Sequence, residues 1–591
     1  MCGIAGELAT ARAADTGVVE RMAATMGSRG PDGDGSWAQE GVAFGHRRLK
    51  IIDLSSAGSQ PMIDPELGLT IVFNGCIYNH RELRRELEGH GYRFFSTSDT
   101  EVILKAYDRW GRDCVTRFAG MFAFAIYEHG PQRLVLARDR LGVKPLYLAR
   151  TADALRFAST LPALLAGGGV DTELDPVALH HYLSWHAVVP APRTVLKGVR
   201  KLPPATTMVV SDDGRESVKT YWRADFSRQE RYGDWSDADW NDAVLEAVRV
   251  AVKRRMVADV PVGVLLSGGL DSSLIVALLE TSGQERLATF SIGFDDVGER
   301  EGNEFHYSDL VARTFDTDHH RIHVATDRML PALDGAIAAM SEPMVSHDVV
   351  AFYLLSEEVS RSYKVVQSGQ GADEVFAGYS WYPPVHAADD GGADAYQAAF
   401  FDRPHEEMAA TLEDRYRLDD DPSRAFLDRH FAGAGVDDPV DRALRLDTEV
   451  MLVDDPVKRV DNMTMAWGLE ARTPFLDHEL VELAAACPPR LKLASGGKGV
   501  LKDAARRVLP SEVIDRPKGY FPVPALSTLE GATLKLIRET MDGPRARSRG
   551  LFRADHLQRL FAAPNDDVTT LEGSKLWQLA LLEMWLERHG I

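Results

Sequence analysis

Cysteine is scarce in this chain of 591 residues, with only Cys2, Cys76, Cys114 and Cys487. Their scatter gives neither metal-ligand spacing nor a disulfide framework, so reduced cytosolic thiols are expected. Long apolar runs are missing: no stretch approaches the ~20 residues that a membrane span needs. The N-terminus lacks the basic and apolar regions of a secretion signal. These absences make the cytoplasm the expected location and leave no membrane partner. Basic residues are outnumbered, 67 Lys and Arg against 88 Asp and Glu, for a net charge of −21. A nucleic-acid surface needs a basic footprint, so no nucleic-acid partner is expected either. What remains is a globular composition, 45% hydrophobic and 26% charged, in a length that exceeds one core and calls for two or more domains.

The most informative stretch is Ser267-Gly268-Gly269-Leu270-Asp271-Ser272-Ser273. The apolar run Val262 to Leu266 precedes it and an amphipathic run, Ser272 to Glu280, follows, which reads as strand, glycine turn and helix start. Such a turn points unpaired backbone N–H groups at an anion, and the helix dipole favours the same charge. Gly268 and Gly269 let the backbone approach a phosphate closely. The hydroxyls of Ser267, Ser272 and Ser273 can donate, and Asp271 can hold magnesium against the same phosphate. A lone Gly-Gly would be an ordinary βα turn, but SGGxDSS after a strand is far more specific. It resembles the pyrophosphate loop of enzymes that cleave ATP between its α and β phosphates, not the GxxxxGK[ST] loop of γ-phosphate chemistry.

The chain begins Met1-Cys2-Gly3. Removal of Met1 gives Cys2 a thiol and a free α-amine, which with a reference pKa near 8 can serve as base for its own side chain. A cysteine alone is more often packing; the context here is different. Gly45-His46-Arg47-Arg48-Leu49, a strand from Leu69 to Phe73 ending in Asn74-Gly75, and Ser98-Asp99-Thr100-Glu101 before a helix at Val102 to Trp110 all follow. Strands are also expected at Gly120–Tyr127, Arg133–Ala137 and Leu155–Ala158.

On these motifs the N-terminal part resembles the class II glutamine amidotransferase domain, which implies an α+β N-terminal-nucleophile sandwich (αββα). The resemblance implies that Cys2 attacks the glutamine side-chain amide, that the Asn74 side chain and the Gly75 N–H form the oxyanion hole, and that Arg48 and Asp99 hold the α-carboxylate and α-ammonium of glutamine. One cation and one anion reading the two ends of an amino acid is sound chemistry. Asparagine synthetases usually read NGEIYN where this chain has Asn74-Gly75-Cys76-Ile77-Tyr78-Asn79, so Cys76 removes a carboxylate that also contacts glutamine.

Domains are expected at 2–210 and 237–591, with 211–236, rich in Asp, Arg, Ser and Gly, as a linker. From Val262 the pattern alternates strands (Val262–Leu266, Leu287–Phe294, His319–Val324, Lys364–Gln367) with helices, which predicts an α/β doubly wound parallel sheet. With strand order 3-2-1-4, the SGGLDSS loop and Ser368-Gly369-Gln370-Gly371-Ala372-Asp373-Glu374 face one crevice at the switch point. This half resembles the synthetase (ATP-pyrophosphatase) domain of the asparagine synthetase B family, with a helical C-terminal part. The resemblance implies ATP and Mg2+ as cofactors, Asp271 and Asp373 as metal ligands, ATP binding by Leu266, Ser267, Gly268, Gly269, Asp271, Ser272, Ile292, Ser368 and Gly369, and Lys498 as a catalytic lysine. In Glu470-Ala471-Arg472-Thr473-Pro474-Phe475-Leu476-Asp477, Arg472 and Asp477 read equally as ion partners or as ligands.

Asparagine synthetases read SGEGSDE where this chain has Gln370. Glutamine presents no charge to an amino-acid ammonium, which makes Gln370 the acceptor-site candidate. The FNGCIYN and SGQGADEVFAGY variants are most similar to the N-acetylglutaminylglutamine amidotransferase subgroup. The implied activity is glutamine-dependent, AMP-forming amidation of a carboxylate through an acyl-adenylate, on the capped dipeptide, with aspartate as the alternative acceptor. A ring-closing synthetase of the β-lactam type needs no glutaminase, and a non-catalytic nitrogen sensor needs no complete loops. Glutamine and a small carboxylate are the expected partners; a homodimer stays open. Residues 380 to 450 follow no assignable pattern.

Overall fold

A computed structural model describes residues 2–10, 12–284, 286–295, 302–346, 348–389, 391–433, 435–517 and 528–591. Met1, whose removal is expected, lies outside them.

The first half is built from two antiparallel sheets of six strands each. One runs in the order Val199–Lys201, Tyr147–Arg150, Ala154–Ala158, Cys2–Ala9, Val42–Arg48, Gly33–Gln39. The other runs Glu216–Thr220, Thr206–Val210, Arg133–Arg138, Gly120–Glu128, Leu69–Ile77, Met62–Asp64. Their facing sides share an apolar layer that includes Ile4, Leu8, Phe44, Val72, Ala123, Leu136 and Phe157. Helices Thr16–Ala24 and Leu161–Ala166 cover the first sheet and helix Asp99–Trp110, with His80–Gly89 beside it, covers the second, which is the αββα sandwich expected. Cys2 starts the central strand of its sheet and pairs with Arg48.

The strand expected to stop at Phe73 continues to Ile77, so Asn74 and Gly75 lie inside it, paired with Ala123 and Phe122. The cause is tertiary: the partner strand Gly120–Glu128 carries the ladder through the glycine. The 211–236 stretch contributes the edge strand Glu216–Thr220.

The second half holds a parallel sheet of five strands, in the order Asp318–Val324, Ala288–Phe294, Val262–Leu265, Val365–Gln367, Glu470–Arg472. The first four are the predicted strands in the predicted 3-2-1-4 order. The fifth is a three-residue strand from the EARTPFLD motif, which pairs Gln367 with Arg472. Parallel strands are buried on both faces, and here helices such as Asp237–Arg254 and Leu270–Glu280 supply the cover. The remainder is helical. Residues 380–450 form short helices at Tyr382–His386, Ala393–Phe400, His405–Thr411, Pro422–Phe431 and Pro439–Leu446. All but His405–Thr411 pack together beside the buried Asp447 carboxylate, which accepts from Trp381 Nε1 (3.2 Å), Tyr382 Oη (2.6 Å) and Tyr396 Oη. Among the described residues no helix is long and apolar enough to cross a membrane.

Buried ion pairs join the halves: Asp461 meets Arg29 at 2.9 Å and Lys144 at 3.3 Å, and Lys201 meets Asp454 at 2.6 Å. Breaking such a pair from one side strands a buried charge, at a cost of about 3–5 kcal/mol.

Candidate active sites

The first site lies at the mouth of the sandwich. Cys2, Arg48, Gly75 and Asp99 line one pocket together with Gln60, Cys76 and Glu470. Cys2 is 7% exposed, and its backbone N–H donates to Asn74 Oδ1 at 3.0 Å. Burial pushes the Cys2 thiol up, opposed by the Leu49 backbone and the Arg48 charge; a base is therefore needed to make the thiolate. Asn74 is fully buried, and its Nδ2 has no hydrogen-bond partner. An orphaned buried donor is costly unless a ligand satisfies it, and a developing oxyanion does so. Gly75 has φ +155°, and a Cβ there would stand 2.1 Å from the Met121 carbonyl oxygen. Only glycine fits at that position.

Arg48 donates to the carbonyl oxygen of Ser55 at 2.8 Å and to that of Asp53, which fixes its guanidinium over the pocket. Asp99 opens its helix behind the N-cap Ser98 and accepts from Ile77 N at 3.0 Å. Burial raises its carboxyl, with His80 and the Ile77 amide opposing; an incoming ammonium favours the charged form.

Cys76 is buried, and burial pushes its thiol far up, so it carries no negative charge. Arg472 Nη2 approaches its sulfur at 3.8 Å and pairs with Glu470 at 2.6 Å. A carboxylate thus does reach the Cys2 pocket, from the second half of the chain. Glu470 was missed because it is remote in sequence and sits in a strand too short to show a period. Arg472, fully buried, also donates to the Arg255 and Val257 carbonyls, and Asp477 pairs with Arg254 and Arg255 at 2.8 Å each. Both are ion partners.

Burial raises Glu470, but the N-terminal ammonium, followed by Arg472 and Lys144, outweighs it and holds the carboxyl down to about 2. Its stabilising contribution is complete above the ordinary carboxylate range near 4.3 and is lost as pH falls toward 2. Glu470→Gln is expected to flatten the decline of stability between about pH 4.5 and 2, read by urea unfolding at stepped pH. An unchanged slope would remove Glu470 from this role.

The second site is a cleft of about 470 Å³ at the carboxyl ends of the parallel strands. Leu266, Ser267, Gly269, Asp271, Ser272, Ile292, Ser368, Gly369, Gln370, Asp373 and Lys498 all line it. Gly268 does not line it; it makes the turn, with φ +75° and a Cβ position only 2.6 Å from Ser308 N. Gly269 caps the helix Leu270–Glu280, and Ser267 Oγ lies 3.2 Å from Ser272 Oγ and accepts from Gly269 N. Ser273 departs from expectation: its side chain is fully buried against the core and does not reach the cleft. One residue along a helix turns the side chain by about 100°. The Leu266 backbone is engaged within the sheet, its N–H with Phe290 O at 2.7 Å and its carbonyl with Ser291 Oγ.

Lys498 ties the two loops together. Its Nζ lies 2.7 Å from Asp271 Oδ2 and 2.9 Å from Asp373 Oδ2. Burial disfavours its charge, but the two aspartates outweigh burial and raise its pKa. Two carboxylates on one ammonium leave one net negative charge and an all-oxygen donor set, which suits magnesium. Behind them Glu374 is raised to about 7 by burial and by Asp373, and accepts from Tyr379 Oη at 2.6 Å. Arg459, which the motif reading passed over, also lines the cleft and pairs with Asp348 at 2.9 Å.

The two sites share a structural element. Glu470 at one end of the fifth strand lines the Cys2 pocket, while the Arg472 carbonyl at the other end accepts from Ser368 N in the loop beside the second cleft at 2.8 Å. A strand rises about 3.3 Å per residue, so only two peptide units separate these contacts.

The family model described as asparagine synthase matches residues 243–587, and that described as glutamine amidotransferase domain matches 1–222. Glutamine-hydrolyzing asparagine synthetase 1 of Bacillus subtilis is 30% identical, over 99% of this chain and 96% of its own. Glutamine-hydrolyzing asparagine synthetase B of Escherichia coli is 29% identical over 84% and 77%. Amidase chyE of Penicillium rubens is 26% identical over 84% and 83%.

Proposed function

The chain belongs to the asparagine synthase family, and on that premise we propose that it transfers glutamine nitrogen, within one molecule, to a carboxylate activated by ATP. Cys2 attacks the glutamine amide, its own α-amine taking the thiol proton; Asn74 and Gly75 hold the oxyanion, and Arg48 and Asp99 the amino-acid ends. The α-amine passes that proton to the departing nitrogen, so ammonia leaves toward the second site, and water then hydrolyses the glutamyl thioester to free glutamate and restore the Cys2 thiol. There the SGGLDSS loop holds the pyrophosphate portion of ATP, the acceptor carboxylate attacks the α-phosphate, and pyrophosphate departs. Ammonia then displaces AMP from the acyl-adenylate and gives the amide. Asp271 and Asp373 would hold magnesium, which supplies charge neutralisation of the phosphates when bound. Lys498 adds positive charge where the pentavalent phosphate builds negative charge. The observation that carries this reading is the Lys498 bridge between Asp271 and Asp373, which joins both loops into one phosphate site.

For the acceptor, the reading favoured here is the C-terminal carboxylate of N-acetylglutaminylglutamine, whose amide is a neutral osmolyte. Gln370 presents an uncharged amide to the cleft, which suits a substrate with a blocked amine. Aspartate is the second reading, and the names of the relatives favour it. Asp348, another carboxylate that lines the cleft, is engaged by Arg459. The test is pyrophosphate release with Mg-ATP and glutamine, each acceptor offered separately, and mass spectrometry for a product one unit lighter than the acid. Turnover with the capped dipeptide alone is expected; turnover with aspartate alone would overturn the acceptor assignment and leave the two-site chemistry intact.

A further inference from the structure

A cluster that neither reaction uses joins the glutamine half to the 380–450 helices. His180 sits in helix Pro176–Ser184, His405 opens helix His405–Thr411, and Asp421 caps helix Pro422–Phe431. None of the three lines the glutamine pocket or the ATP cleft. One ligand atom from each lies within 4.8 Å of the others. His180 Nε2 faces both partners, His405 Nδ1 at 3.0 Å and Asp421 Oδ1 at 3.7 Å.

A hydrogen-bonded histidine pair explains the first distance, but a single N–H cannot serve a nitrogen and a carboxylate together. An ion at the common point does serve all three. Two nitrogens at ~2.05 Å on a tetrahedral ion stand about 3.3 Å apart, within a few tenths of an ångström of the observed spacing. Ser423 Oγ, fully buried, meets His180 Nδ1 at 2.8 Å and His181 Nδ1 at 2.9 Å. A hydroxyl that accepts from His180 Nδ1–H and donates to His181 leaves His180 Nε2 as a lone pair directed at the cluster; such a partner orients a metal-bound histidine. His180 is 2% exposed, whereas His405 and Asp421 are half-buried and give an ion a way in.

We infer that His180, His405 and Asp421 form a site for a zinc-like divalent transition ion, with water as fourth ligand, that fastens the glutamine half to the helical region. Imidazole ligands select such ions over magnesium or calcium. The ion's role is to hold the two parts together; it takes no step in either reaction.

The full chain is stripped with a chelator, dialysed and titrated with zinc chloride alone. Bound metal is counted by plasma mass spectrometry, and affinity is read against a chromogenic chelator. One equivalent is expected, with affinity at least about ten-fold lower in His405→Gln and in the near-isosteric Asp421→Asn. Zinc is expected to raise the Tm of the unsubstituted chain and not that of the variants. No stoichiometric zinc in the unsubstituted chain, or an equivalent that survives both substitutions, overturns the site; the second result would send the search to Asp271 and Asp373.

Discussion

Cys2→Ala is expected to lower glutamine-dependent amide formation by on the order of 10⁴-fold or more, while turnover with added ammonium salt persists within a few-fold. The reason is structural: Cys2 lies in the pocket with Arg48 and Asp99, and nothing in the ATP cleft touches it. The substitution removes the nucleophile and leaves Lys498, Asp271 and Asp373 in place. Alanine is smaller than cysteine and keeps the residue-2 nitrogen, the free α-amine once Met1 is removed, beside Asn74 Oδ1, so the strand is preserved. Product assay with each nitrogen source checks this. Loss of both activities would mean that the thiol serves the second site as well, against two independent centres.

The converse substitution, Lys498→Met, is expected to cut pyrophosphate release by about 10²–10³-fold and to leave glutamine hydrolysis by Cys2 measurable. Methionine keeps length and removes the charge. Its loss removes a cation that competes with magnesium for Asp271 and Asp373, so the variant is also expected to need less magnesium for half-maximal residual activity. Asp373→Asn in the same background removes one of the two carboxylates that would hold the ion, and the magnesium requirement is then expected to rise. A Lys498→Met enzyme with full pyrophosphate release would remove the bridge from the mechanism.

Some of this is legible in the residues, and some is not. The strand–turn–helix around Ser267 is local, and a helix N-terminus built by two glycines has few other uses; the structure places it at the switch point as the alternation of strands and helices implies. In the motif Ser273 reads as one more hydroxyl donor, whereas the helix turns it into the core. Asn74 and Gly75 were expected at a strand end. The ladder with Ala123 and Phe122 keeps them inside the strand, and only the partner strand could reveal that. Glu470 is the largest gap: a three-residue strand has no period, and its neighbour Val365–Gln367 lies about a hundred residues away in the chain. The consequence reaches the pocket, since Glu470 places a carboxylate among its lining residues where Cys76 provides none. Residues 380–450 resisted reading because their helices are short and their core is polar at its centre, around Asp447 and its three donors. The cluster of His180, His405 and Asp421 draws on three separate helices and leaves no spacing in sequence.

The central claim is that the nitrogen freed at Cys2 becomes the product amide without leaving the protein. The direct measurement is isotopic. The enzyme is supplied with Mg-ATP, the acceptor that elicits pyrophosphate release, glutamine labelled with 15N in its side-chain amide, and an excess of unlabelled ammonium. A product that carries nearly all of its amide nitrogen as 15N is the predicted result. A product whose label falls to the proportion of labelled ammonia in bulk solution would contradict the account.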